Sequence, residues 1–214
     1  MTIDEIRRDV LLLPQNYKTK DIDALIQKYV KSKSDVSCLR SIVLSEQEFH
    51  RIYFHTMLKQ MNDPQERMQF IDNNLLFSDW WHTDQLINLV SNIEPNIAFE
   101  YAERYITAED PFIRRWGYVM FISKLCRNRC VMEKLLPMFK NDSEYYVQMA
   151  QAWLIAELCI FFPDDVFNYM ENNDLLYSIN GKAIQKICDS YRISQNNKER
   201  FKSLRPKLRH RMNN

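Results

Sequence analysis

Only two glycines, Gly117 and Gly181, occur in a chain of 214 residues, and no other feature narrows the fold as much. Tight hairpin turns need backbone at positive φ, which glycine supplies without steric cost. An all-β chain of this length requires many such turns; helices joined by short polar loops need few. The spacing of apolar residues agrees with the second option. Ile22, Leu25, Ile26, Tyr29 and Val30 recur at helical period, and Phe49, Ile52, Tyr53, Thr56 and Met57 do so again. Ser45 followed by Glu48 reads as a capping box at the start of that second helix.

Further helices are expected over Trp81–Ile93, over Asn96–Ala108 opened by Pro95, and over Phe112–Leu125 opened by Pro111. Proline suits a first helical turn, where its missing N–H would have no intrahelical partner. A long apolar helix is expected from Ser143 to near Phe162, stopped by Pro163. Asp164 is then expected to cap Asp165–Asn172, and Gly181 to precede or open Lys182–Tyr191. Short loops between such segments suit antiparallel neighbours. The pattern predicts an all-α fold, an α-α superhelix or HEAT-like solenoid of antiparallel helix pairs, forming a single domain over residues 1–214. No strict repeat is found, so a non-repetitive helical bundle is the structural alternative.

No apolar run approaches the roughly 20 residues that cross a bilayer. Charged residues crowd Met1 to Asp9, unlike a signal peptide, and a soluble, cytoplasmic protein with no membrane partner is expected. The five cysteines, Cys38, Cys126, Cys130, Cys159 and Cys188, lack CxxC or zinc spacing and are expected to be free, buried thiols, with Cys126 and Cys130 on one helix face. The histidines His50, His55, His82 and His210 are scattered, and the usual metalloprotease, phosphate-loop, dinucleotide and serine-hydrolase motifs are missing. No metal and no cofactor is expected.

The net charge of +1 hides an asymmetry. Residues 182–214 hold ten Lys or Arg against two acids, a basic segment on a mildly acidic body. Such a segment attracts phosphate backbones, or simply aids solubility. All four tryptophans, Trp80, Trp81, Trp116 and Trp153, fall in three aromatic-rich stretches at 77–87, 110–119 and 145–158. Core filling is the ordinary use of each one.

Together these stretches resemble the DNA alkylation repair family, helical HEAT-like-repeat DNA glycosylases. Trp80-Trp81 at a polar helix start resembles the family's Trp-Trp-Asp-x-x-Asp element, and Phe112-Ile-Arg-Arg115 its aromatic–aliphatic–x–Arg element. Tyr145-Tyr-Val-Gln148, followed by Trp153 and Glu157, resembles its Phe-Phe-hydrophobic-Gln-Lys…Trp helix. Lys182-Ala-Ile-Gln-Lys-Ile187 and Ser190-Tyr-Arg-Ile193 resemble its C-terminal helix, so the likeness runs from about Glu48 to Ser194.

The resemblance implies duplex DNA as partner, alkylated DNA in particular, and excision of cationic alkylpurines without turning the nucleotide into a pocket. It implies Trp81, Asp84 and Trp153 as catalytic residues, and Arg114, Arg115, Gln148, Lys182, Lys186 and Arg192 as DNA contacts. The family's acid lies four residues after the second tryptophan; that position is Gln85 here, with Asp84 adjacent. The Lys after the helix Gln is Met149, and the Arg before Glu157 is Ala156. Two other readings compete: a non-catalytic binder of damaged or branched DNA, and a protein-interaction solenoid.

Overall fold

In a computed structural model, residues 1–210 are described; the last four residues of the basic segment 182–214 lie outside them. The described residues form helices and no strands, as the glycine count requires. The chain divides into two compact units, Met1–Ile93 and Glu94–Asn214.

The first unit contains α1 (Ile3–Leu11), α2 (Thr19–Lys31), α3 (Gln47–Gln60), α4 (Pro64–Asp72) and α5 (Trp80–Asp84). Thr2 and Glu5 form a capping box on α1, and Asp63 caps α4 through the Gln65 N–H. The α2 stripe read from the sequence is the buried one: Ile22, Leu25, Ile26 and Tyr29 face the core. α2 packs on α3, whose Phe49, Ile52, Phe54 and Leu58 are buried.

Two expectations for this unit are corrected. Ser45 and Glu48 do not form a capping box. α3 begins at Gln47 with Glu46 in the capping position, one residue later than the box requires, and the Ser45 hydroxyl instead donates to the Ile42 carbonyl at 2.7 Å. The helix expected over Trp81–Ile93 stops at Asp84, and a 3₁₀ turn follows at Ile87–Leu89. Leu86, Val90 and Ile93 are all buried there. Apolar spacing of three to four residues suits 3₁₀ turns as well as α-helix, so period alone did not separate them.

The second unit contains α6 (Pro95–Tyr105), α7 (Pro111–Val119), α8 (Arg129–Leu135), α9 (Tyr145–Phe161), α10 (Pro163–Asn172), α11 (Tyr177–Asp189), α12 (Gln195–Lys202) and α13 (Arg205–His210). Here α6 packs on α7, α7 on α9, α9 on α10 and α11, and α11 on α12. Packing of each helix on its neighbours is the α-α superhelical arrangement. α9 is apolar on nearly every side because it lies between neighbours, burying Val147, Leu154, Ile155 and Leu158 among others.

Prolines occupy the first turns of α4, α6, α7 and α10. α10 starts at Pro163 with Phe162 as its cap, so Asp164 sits inside the first turn rather than before it. α7 ends at Val119, short of Leu125, and a 3₁₀ turn follows at Leu125–Arg127, with Met120 and Phe121 fully buried between them. Cys126 and Cys130 fall on separate elements, a 3₁₀ turn and α8. All five cysteines are free, but only Cys126 and Cys159 are buried, and Cys130 is exposed. Burial raises Cys126 and pushes Cys159 up to about 12, so neither is a thiolate at neutral pH.

Gly181 does not open a helix but lies inside α11, where an added Cβ would meet the Tyr177 ring at 3.5 Å, an ordinary contact. Gly117 differs: a Cβ there would lie 2.8 Å from Ile106 Cγ2, 3.0 Å from Tyr105 Cβ and 3.1 Å from the Ile106 backbone nitrogen. Only glycine lets α7 approach the end of α6 this closely. Gly117→Ala is expected to destabilise the protein by about 1–3 kcal/mol through overpacking, despite alanine's better helix propensity. Gly181→Ala is expected to be neutral or stabilising by up to about 1 kcal/mol. Urea midpoints of the two variants against wild type read both effects.

Candidate functional site

α5 is a short helix with a strong start. Asp79 is its N-cap and accepts from the Trp80 N–H at 2.6 Å. Residues four apart share a helix face, so Trp80 is paired with Asp84 and Trp81 with Gln85, the two pairs turned by about 100°. All four line one open cleft of about 1040 Å³ in the first unit. Trp80 is 44% exposed, whereas Trp116 of the second unit is fully buried and fills core.

The rest of the cleft's lining was not foreseen from the sequence. The lining also includes Tyr17, Lys18, Glu48 and Arg51. The Tyr17 hydroxyl donates to Glu48, and that bond, helped by burial, pushes Tyr17 up to about 12. Arg51 donates from Nε and Nη2 to the two carboxylate oxygens of Asp23 at 2.9 Å each. One signal was available: Glu48 and Arg51 stand three apart among the apolar positions of α3, so they share a face that the core does not use. The cleft thus contains two indoles, a phenol, two carboxylates and two cations, of which Arg51 is already matched by Asp23.

Three histidines are buried in this unit, His50 and His55 on α3 and His82 on α5. His50 stacks on His82 with centroids 3.9 Å apart and an interplanar angle of 16°, and the Trp81 ring meets His50 edge-on at 5.6 Å. Burial, with the neighbouring His82, lowers His50 to about 2. Burial and Arg51 lower His55 to about 3, and burial lowers His82 against the opposing pull of Asp79. These rings are neutral packing groups at physiological pH. Among the described residues, no group of three or more His, Cys, Asp or Glu is placed to hold a metal ion, and no helix is long and apolar enough to cross a membrane.

The second unit holds the remaining sequence candidates. Trp153 is half-buried on α9, its indole N–H 3.3 Å from Glu157 Oε1, and Glu157 also accepts from Arg192. Near the start of α9, Gln148 donates to the Asp142 carbonyl at 2.7 Å and accepts from Lys182 Nζ at 2.8 Å. Lys182 also lies 5.4 Å from the centroid of the Tyr145 ring, which is 57% exposed. Lys186 is half-exposed on the same helix as Lys182.

The two arginines of α7 are turned inward. Arg114 grips Asp142 at 2.7 Å and donates to the carbonyls of Ala108 and Glu109; its hydrogen bond to Asp142 raises it further above its ordinary value. Arg115 is 4% exposed and donates to the Tyr146 carbonyl at 2.7 Å. Both brace the entrance of α9 against α7.

Against protein-family models, residues 16–202 match the family described as DNA alkylation repair enzyme. The chain belongs to that family. No curated protein matches it. Membership in the DNA alkylation repair enzyme family ties the chain to DNA repair and points to DNA as its partner. The matched span starts before α2, so all of the cleft's lining residues but Gln15 fall within the DNA alkylation repair region, beyond the part legible by resemblance.

Proposed function

We propose that this protein is a DNA glycosylase that releases cationic alkylated purines from duplex DNA. What supports the reading, beyond family membership, is one observation: Trp80, Trp81 and Asp84 line the same open cleft. The chemistry asks for little more. An N3- or N7-alkylpurine carries a positive charge. When the C1′–N bond breaks, the electron pair goes to the ring nitrogen and the base leaves neutral, with oxocarbenium character on the sugar. Water then adds to C1′ and its proton passes to solvent. Indole faces attract cations by about 0.5–2 kcal/mol each. A carboxylate aimed at the developing charge stabilises the transition state more than the ground state.

In this reading Trp81 and Asp84 serve the cleft, and Trp153, on α9 of the second unit, keeps the catalytic role that the family resemblance implies for it. The lesion is processed without being turned into a deep pocket, as the family resemblance implies. Lys182, Lys186 and Arg192, with Gln148, supply phosphate contacts, while Arg114 and Arg115 serve by holding α9 in place. The test is single-turnover release of 7-methylguanine from a methylated duplex, expected from the wild-type protein and not from heat-inactivated protein. No release at saturating protein would end this reading.

One observation favours a non-catalytic DNA binder instead: Gln85 occupies the family's acid position and is hydrogen bonded to His50 and Arg51. Both readings require salt-sensitive DNA affinity. The logarithm of the binding constant is expected to fall with log salt at a slope of about −0.9 per neutralised phosphate. Charge reversal of Lys182, Lys186 and Arg192 together should flatten that slope by about two to three units, measured by fluorescence anisotropy on duplex DNA. An affinity indifferent to salt would remove DNA from both readings.

A further inference from the structure

Gln85 has both ends of its side chain occupied. Its Nε2 lies 2.6 Å from His50 Nδ1 and its Oε1 lies 3.3 Å from Arg51 Nη1. The direction of the first bond follows from the far side of the imidazole. His50 Nε2 lies 3.0 Å from the Leu76 carbonyl oxygen. A carbonyl only accepts, so the ring proton sits on Nε2 and Nδ1 offers a lone pair. Residue 85 must therefore donate to His50.

Toward Arg51 the demand is reversed, because a guanidinium only donates. Residue 85 must accept there, from an arginine already oriented by its two bonds to Asp23. An amide meets both demands at neutral pH. An ionised carboxylate, the family's choice at this position, accepts on both sides and faces the Nδ1 lone pair with its own.

The lock reaches the cleft through packing. His50 is fully buried between His82, at 3.9 Å, and the edge of Trp81, at 5.6 Å. Gln85 is itself the C-cap of α5, so its side chain ties the end of the helix bearing Trp80, Trp81 and Asp84 to α3. We infer that Gln85 is a positioning residue: it replaces the family's acid with a hydrogen-bonded lock on His50 that sets the pose of Trp81 and leaves the acid's work to Asp84. The lock stands on the hydrogen bonds alone; the assignment of the acid's work rests on the glycosylase reading.

Restoring an acid at this position should then harm the site. A carboxylate opposite Nδ1 is tolerable only with a proton between them, and Arg51 Nη1 on its other side favours the ionised carboxylate, which leaves the proton on His50 as an imidazolium. The groups facing that ring do not favour this by themselves. Burial, His82 and His55 oppose positive charge on His50, and the hydrogen bond to the Leu76 carbonyl favours it; Arg51 acts in the opposing sense on His55, and Asp79 in the favouring sense on His82. Any protonation of His50 near neutral pH would therefore report the new carboxylate.

The experiment is ¹⁵N NMR of the histidine rings in the full chain, wild type and Gln85→Glu, over about pH 5 to 8, with base release measured on the same samples. Wild-type His50 is expected to stay neutral with its proton on Nε2 throughout. In Gln85→Glu the His50 ring is expected to become protonated within that range, with single-turnover release slowed at least about tenfold by misplacement of Trp81 and Asp84. A wild-type Nδ1–H tautomer, or a variant with His50 still neutral and release intact, would overturn the inference. If Gln85→Glu does not fold, the wild-type tautomer decides. If wild type releases no base while His50 behaves as described, the glycosylase reading falls and the lock stands.

Discussion

Asp84→Asn is expected to slow single-turnover release of 7-methylguanine by about 100- to 1,000-fold, with duplex affinity unchanged within about twofold. The asparagine keeps the size of the side chain and can still accept from the Thr83 hydroxyl, which now lies 3.1 Å from Asp84 Oδ1. What it loses is the negative charge in the cleft beside Trp80 and Trp81. That charge matters most when the sugar becomes cationic, so its removal should lower the rate of the chemical step and spare ground-state binding. Unchanged near-UV circular dichroism will establish that the variant is folded. Release at the wild-type rate would move the acid's role away from Asp84.

A fall in stability below about pH 6.5 is the second large effect, and it is independent of catalysis. His50 and His55 are buried and neutral, with values lowered to about 2 and about 3, and His82 is lowered in the same direction. In the unfolded chain each returns to an ordinary value near about 6.5 and binds a proton that the folded state refuses. The stability contribution is therefore complete above the unfolded value and is lost as pH falls below it toward the folded values. Between about pH 7.5 and 5.5, His50 and His55 together are expected to remove about 3 kcal/mol. Urea unfolding at the two pH values measures this, and His55→Asn should reduce the loss by about half. A urea midpoint that stays level across that range would contradict the buried, neutral assignment.

Much of this molecule is legible without coordinates. The scarcity of glycine and the apolar period decide an all-α fold because both act locally: turns need particular φ values, and helices need one sticky stripe. The α2 stripe from Ile22 to Tyr29, the prolines opening α6 and α7 and the long apolar α9 follow from those rules. Resemblance in Trp80-Trp81 and Tyr145–Gln148 identified the family, since aromatic pairs at helix starts are rare enough to stand out.

Helix ends and side-chain directions followed other rules. α5 stops at Asp84 and α7 at Val119, each followed by buried residues and then a 3₁₀ turn whose apolar spacing resembles that of a helix. Gly181, Asp164 and the Ser45–Glu48 pair fit a local signal and were used otherwise, each displaced by a few residues when packing chose the helix start. Arg114 and Arg115 carry the charge that DNA would want, yet Asp142 and the Tyr146 carbonyl hold them inward. Composition by itself determined the class of fold and the stock of chemical groups. Tertiary structure alone decided which groups meet, bringing Tyr17, Glu48 and Arg51 to the cleft of Trp81 and Asp84 and turning Gln85 toward His50, because hydrogen-bond direction and burial depend on neighbours distant in the chain.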